Sequence, residues 1–217
     1  GVLFENALAP SAWTLTTHAS ILTGLLPHQH GADWAIPLDS APWTLAEILR
    51  SQGYETAAFT ANLYYGQGGW GMAYGFDVYE DDSSSLRHNL AMTLAGRILV
   101  QPLFQHHIRY DLLDRRDARE INRDVVRWFQ HRLTGPYFLF INYFDAHDPY
   151  LAPSPYAGRF GRISEGAVRM VNSIDGIQAG TTLPADAQES LIAGYDNCLA
   201  FLDDQVGRLI RFLAVSP

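Results

Sequence analysis

Residues 137–150 read Tyr137-Phe138-Leu139-Phe140-Ile141-Asn142-Tyr143-Phe144-Asp145-Ala146-His147-Asp148-Pro149-Tyr150, and this stretch decides the fold class. A continuous apolar and aromatic run of this length, set between turns, reads as a strand over Tyr137–Phe144 buried on both faces. Strands of that kind belong to parallel sheets covered by helices. The segment before it agrees. Ile121, Val125, Trp128 and Phe129 fall at helical spacing between Asp117 and Arg132, and Leu133-Thr134-Gly135-Pro136 ends that helix. In open α/β sheets ligands bind beyond the carboxyl ends of the strands. His147, with Asp145 and Asp148 beside it, holds such a position. It is either an ordinary loop histidine or a functional one.

Outward from this strand, helices and apolar strands alternate, which favours an α/β fold with a mainly parallel sheet. Thr14 to Thr23 reads as a helix closed by Gly24. Thr44-Leu45-Ala46-Glu47 is a capping box opening a second helix that ends at Gln52-Gly53, and Tyr54 to Thr60 follows as a strand. Gly66-Gln67-Gly68-Gly69-Trp70-Gly71 is a glycine-rich loop whose spacing is not that of a dinucleotide fingerprint, and its expected role is flexibility. Asp81 to Ser85 is a polar joint before a helix expected from Leu86 to about Val100. From Pro184 to Leu213 a long helix is expected, with Leu191, Tyr195, Leu199, Leu202, Val206, Leu209 and Leu213 as its apolar stripe and Pro184 in its first turn.

Composition removes several classes of function. The 217 residues suit one large domain or a substantial piece of one, and 47% of them are hydrophobic. No apolar run approaches the roughly eighteen residues of a membrane span. A net charge of −8 argues against nucleic acid or an anionic membrane as partner. Cys198 is the single cysteine, so a disulfide framework or cysteine-rich zinc site is excluded, and the residue reads as a small core side chain. All 15 basic residues are arginine. Without lysine there is no P-loop and no Schiff-base chemistry. Gly-x-Ser-x-Gly is also absent, which weakens an α/β-hydrolase reading. The chain opens on Gly1-Val2-Leu3-Phe4 with no initiator Met and no signal-peptide pattern, as a fragment would.

Trp13-Thr14-Leu15-Thr16-Thr17-His18-Ala19-Ser20-Ile21-Leu22-Thr23-Gly24 is the second stretch that bears on function. A nucleophile in the first turn of a helix sits at the positive end of the dipole, beside unpaired backbone N–H groups that favour an anion. Thr14 is so placed. It serves either as the helix cap or as a nucleophile. Other polar clusters read as surface. Arg119, Arg123 and Arg127 interleave with Asp117, Glu120 and Asp124, the pattern of a self-paired solvated helix face. His106-His107 with Asp111 and Asp114 match no metal-site spacing.

Together these segments resemble the sulfatase family of the alkaline phosphatase superfamily. The resemblance runs in order through Gly1 to Ala7, Thr14 to Gly24 with Pro27-His28-Gln29-His30-Gly31, Thr44 to Thr60, Tyr137 to Tyr150, and Tyr195 to Leu213. It spans nearly the whole chain and implies an alkaline phosphatase-like α/β fold, a mainly parallel sheet flanked by helices and truncated at both ends. The chain would be a partial catalytic domain over residues 1–217, without the first strand and the last metal-binding strand.

In most sulfatases the nucleophile motif is Cys or Ser, x, Pro, Ser, Arg, with the first residue oxidised to formylglycine. Thr14 stands at that position, Thr16 replaces the proline and His18 the arginine. The resemblance therefore implies direct attack by Thr14, as a metal-bound alkoxide, on a small-molecule anionic ester of sulfate or phosphate. His18 would hydrogen-bond the nucleophile or the substrate, or pack the helix. His147 matches the family's substrate-contacting histidine, suited to stabilising the transferred group or protonating the leaving oxygen. The family's lysine after the second strand is absent. Ala61-Asn62 occupies that region, leaving Asn62 as the residue to meet substrate there.

The implied cofactor is a divalent metal cation (Ca2+, Mg2+, Mn2+ or Zn2+). Its acidic ligands would lie before Gly1 and after Pro217, so that Thr14 is the one ligand within the chain and the isolated chain is expected to be inactive. Asp196-Asn197 looks like the late ligand pair but falls within the long helix. Two other readings remain: a phosphoglycerol- or phosphoethanolamine-type transferase of the same superfamily, and a non-catalytic binding relative.

Overall fold

Glu55-Thr56-Ala57-Ala58-Phe59-Thr60 forms the centre of the sheet, and all but Glu55 are buried. The computed structural model describes residues 2–40, 42–62, 65–81, 115–132, 135–172 and 183–216. Its helices are α1 (Thr14–Thr23), α2 (Pro27–His30), α3 (Leu45–Ser51), α4 (Ala118–His131), α5 (Glu165–Asn172) and α6 (Ala185–Val215). Its strands are β1 (Glu55–Thr60), β2 (Val78–Glu80) and β3 (Tyr137–Asn142), in the order β2-β1-β3. Both pairings are parallel. The fold is α/β, with a parallel sheet flanked by helices, as the alternation predicts. The chain divides into two compact units, Gly1–Asp82 with Arg127–Asn142, and Ser83–Val126 with Tyr143–Pro217.

In the first unit the β1–β3 register, with Ala58 opposite Phe140 and Thr60 opposite Asn142, divides the side chains between two faces. On one face Ala58, Phe138 and Phe140 pack with Leu15, Ala19 and Leu22 of α1, Ala46 of α3, Met72 and Phe76. On the other, Phe59 meets Trp128 edge-on at 6.3 Å, and Phe129 meets Tyr137 at 5.2 Å. The fully buried strand is therefore the alanine-rich one, whose small side chains let helices approach from both sides. The aromatic β3, expected to be buried on both faces, is only partly buried at all six positions and ends at Asn142. Among the described residues it has a strand neighbour on one side alone.

Local signals fix the helix ends. Thr44 Oγ1 accepts the Glu47 N–H at 3.1 Å and Glu47 Oε2 accepts the Thr44 N–H at 2.8 Å, the reciprocal capping box of α3. The glycine-rich loop is held rather than loose. Tyr79 donates its hydroxyl to the Gly66 carbonyl, Asp81 accepts the Gly68 N–H, and the Leu38 N–H reaches the Trp70 carbonyl. Gly75 packs against the start of α3 with φ +84°, and a Cβ there would lie 2.2 Å from the Glu47 nitrogen. Gly75→Val in the full-length protein is expected to cost at least about 2 kcal/mol, from left-handed strain plus that clash with backbone. That corresponds to a fall in Tm of several degrees, and an unchanged melting curve would refute it.

In the second unit the 31-residue α6 buries Ala187, Leu191, Gly194, Asn197, Cys198, Phe201, Gln205 and Leu209. The expected stripe of large residues holds only at Leu191 and Leu209. Tyr195 and Leu199 are 41% and 38% exposed. The true seam advances by steps of three and four and is lined largely by small and amide side chains, which a search for large apolar residues passes over. Asn197 accepts the Phe160 N–H and donates to the Gly161 carbonyl, both at 2.8 Å, so the Asp196-Asn197 pair includes a backbone clamp. Cys198 is a buried core residue, and burial pushes its thiol up to about 11. Pro184 is the N-cap of α6 rather than a first-turn residue. Arg119 pairs with Asp117 and Arg123 with Glu120, as a self-paired face of α4 requires, whereas Asp124 pairs with the buried Arg116 ahead of the helix. The helix expected over residues 86–100 and the His106-His107 cluster lie outside the described residues.

Candidate active site

In the first unit β1 and β3 end side by side at Thr60 and Asn142, and the chain beyond β1 runs into Ala61-Asn62. Against these strand ends lies the first turn of α1. Thr14 is the first helical residue; its N-cap is Trp13, which supplies no side-chain cap. The capping reading of Thr14 is thereby corrected. The turn is instead braced from Ser11, whose hydroxyl accepts the Trp13 N–H at 3.1 Å and whose carbonyl accepts the Thr17 hydroxyl at 2.9 Å. The opening N–H groups of α1 thus have no side-chain cap, the condition under which a helix N-terminus attracts an anion.

Four residues close a ring of hydrogen bonds with Thr14. Asn62 Nδ2 donates to Thr14 Oγ1 at 3.4 Å, a long contact. The Asn62 backbone N–H donates to Thr60 Oγ1 at 3.2 Å, and the Thr60 hydroxyl donates to Asn142 Oδ1 at 3.2 Å. Asn142 Nδ2 donates to His18 Nε2 at 3.1 Å, and His18 Nδ1 donates to the Thr14 carbonyl at 2.7 Å. Both ring nitrogens of His18 are thereby engaged, and its bond to Thr14 falls on the backbone rather than the hydroxyl. The ring also stands edge-on to Phe140 at 5.6 Å. Burial lowers the His18 pKa below the usual imidazole range and so favours the neutral ring, against the opposing influence of the bond to the Thr14 carbonyl.

The Asn62 amide is fixed in sense, because its Oδ1 accepts the Tyr65 N–H at 3.0 Å and its Nδ2 is left to face Thr14. The Pro27–Gly31 segment is structural: Ala32 N–H donates to His30 Nδ1 and His30 Nε2 faces the Ser20 hydroxyl, each at 3.0 Å, bracing α1 from behind. Thr16, in place of the family's proline, buries a hydroxyl with no partner among the described residues.

His147 belongs to the second unit. Its Nδ1 lies 2.5 Å from Asp148 Oδ1, and its ring stacks on Phe144 with centroids 4.1 Å apart. Arg115 donates to the carbonyls of His147 and Phe144 and lies over the Phe144 ring. Asp145 is turned to structure: its Oδ1 accepts the Ala118 N–H at the start of α4, and burial raises its carboxyl above the usual range. A histidine with Nδ1 held by a carboxylate and its ring face packed is oriented at Nε2.

The sequence model of the sulfatase family matches residues 1–215. The chain belongs to the sulfatase family. Its α/β fold is of the alkaline phosphatase-like kind. Among solved structures, the phosphonate monoester hydrolase of Agrobacterium radiobacter aligns with a TM-score of 0.60 at 16% identity, over 95% of this chain and 51% of that one. Ps i-CgsB, in complex with k-i-k-neocarrahexaose, aligns at 0.47 and 12% identity, over 93% and 46%. The sulfatase chain spans about half the length of these neighbours. None of the curated proteins compared with it matches.

Of the residues expected at the site of this sulfatase, Thr14, His18 and Asn62 come together in the first unit. Asn142 and Thr60 were not foreseen, although a polar residue closing an apolar strand was the available signal. Among the described residues no three His, Cys, Asp or Glu side chains gather as a metal site, so those residues alone do not fit a bound divalent cation. Among the described residues no helix is long and apolar enough to cross a membrane.

Proposed function

We propose that this sulfatase chain supplies the nucleophile, Thr14, for cleavage of a small anionic sulfate or phosphate ester in the full-length protein. The observation that carries the reading is the uncapped first turn of α1, with the Thr14 oxygen facing an amide donor whose sense is fixed. An N–H aimed at that oxygen stabilises it as negative charge develops. The opening N–H groups of the helix would hold the oxygens of the transferred group. Thr14 gives up its hydroxyl proton to water and its Oγ1 bonds to sulfur or phosphorus while the bond to the ester oxygen breaks; His147 is assigned the protonation of that leaving oxygen, and a water then cleaves the transferred group from Thr14 to regenerate the hydroxyl. A threonine side chain leans the chemistry toward phosphorus, since a sulfated threonine lacks the elimination route open to a formylglycine diol. Family membership leans toward sulfate.

The divalent cation implied for the family would supply charge neutralisation in the full-length protein. No step above runs through it, because the described residues do not fit it.

The test is hydrolysis of an aryl sulfate and an aryl phosphate by the full-length protein, before and after treatment with EDTA. Turnover of at least one ester, abolished by EDTA and restored by a divalent salt, is the expected result. Turnover that survives chelation removes the cation from the proposal. Transfer of phosphate to glycerol in place of water moves the reading to a transferase. Binding of the esters without turnover makes the protein a non-catalytic relative.

A further inference from the structure

We propose that Asn142 is a positioning residue for Thr14, acting through His18 on one side and through Thr60 and Asn62 on the other. The proposal rests on the nucleophile reading above, and its first measurement is independent of that reading. The ring of bonds permits only one sense. The Thr14 carbonyl can only accept, so the neutral His18 carries its ring hydrogen on Nδ1 and leaves Nε2 to accept the Asn142 N–H. This turns Asn142 Oδ1 toward Thr60, whose hydroxyl donates to it while its oxygen accepts the Asn62 N–H. Asn142, between His18 and Thr60, is thus the amide that must donate in one direction and accept in the other. Neither aspartate nor leucine does both.

The two ends of the circuit meet on one residue. His18 holds the Thr14 backbone and Asn62 holds its oxygen, so the nucleophile is fixed at two points. Whereas His18 and Asn142 are partly buried, the Thr60–Asn62 arm is closed off from water, with the two residues 2% and 4% exposed. Gly66 seals them. A Cβ at Gly66 would lie 2.2 Å from Thr60 Oγ1 and 2.5 Å from the Asn62 carbonyl, so the loop can lie this close only as glycine. Across this circuit the register of two strands far apart in sequence sets the position of the helix they support.

Nitrogen-15 NMR of histidine-labelled full-length protein tests the circuit directly. Wild-type His18 should give the signature of a neutral Nδ1–H ring. Asn142→Asp places a carboxylate opposite Nε2, and the signals should move to those of a ring protonated at Nε2. Thr60→Val, nearly isosteric, breaks the other arm and should leave the His18 signals unchanged while kcat falls about tenfold, with KM within about twofold. Thr60→Ser, which keeps the hydroxyl, should restore kcat. A wild-type His18 with its hydrogen on Nε2, unmoved His18 signals in Asn142→Asp, or wild-type kcat in Thr60→Val would each overturn the proposal. An intact Nδ1–H signature in a wild-type protein that turns over no ester overturns the positioning role through failure of the nucleophile reading, and leaves the circuit as packing.

Discussion

Thr14→Ala in the full-length protein is expected to lower kcat/KM for ester cleavage by at least about 10³-fold, the scale on which loss of a nucleophile is felt. The hydroxyl is the only atom group at this position that can bond to the transferred centre, and Asn62, whose amide donates to that oxygen, is no nucleophile in its place. The fold should survive the change. Thr14 makes no cap, and its carbonyl, which holds His18, is retained in alanine. Thr14→Ser is the companion variant. It keeps the oxygen and should retain most activity, provided the circuit orients it. Kinetics on whichever ester the wild type turns over decide the matter, and equal rates for wild type and Thr14→Ala would remove Thr14 from the mechanism.

The second large effect belongs to His147. His147→Ala is expected to cost about 10²- to 10⁴-fold in kcat for esters of poor leaving groups, the range of a lost general acid. The loss should shrink sharply for nitrophenyl esters, whose alcohols depart without a proton. A uniform loss across leaving groups would instead assign His147 to holding the transferred group. Asp148→Asn should show a milder form of the same pattern, since it weakens the Nδ1 contact that orients the ring without removing the ring. No dependence on leaving group in either variant, with rates as in wild type, refutes the assignment.

Local structure was readable wherever a short-range rule governed it. Gly24 closes α1 in the left-handed conformation, Thr44 and Glu47 cap α3, and Pro136 precedes β3. These depend on residues within a few positions of one another. The bond from His18 to the carbonyl four residues earlier was also within reach of helix geometry. Long-range features were not. Nothing in the local sequence places Asn142 beside Thr60, because that pairing comes from strand register across 82 positions. The seam of α6 was misjudged for a related reason. Which face of a long helix is covered depends on what packs there, and close approach selects glycine, cysteine and asparagine over leucine.

Thr14, His18, Thr60, Asn62 and Asn142 form a cluster with no formal charge, in a chain whose net charge is −8. Such a cluster attracts an anion only through bond dipoles, whose pull fades within about a turn of helix. The chain's net charge adds no longer-range attraction for an anion. On the proposed reading this cluster therefore does not draw an anionic ester in from solution. It can only select, by the fit of oxygens to N–H groups, among anions that have already arrived.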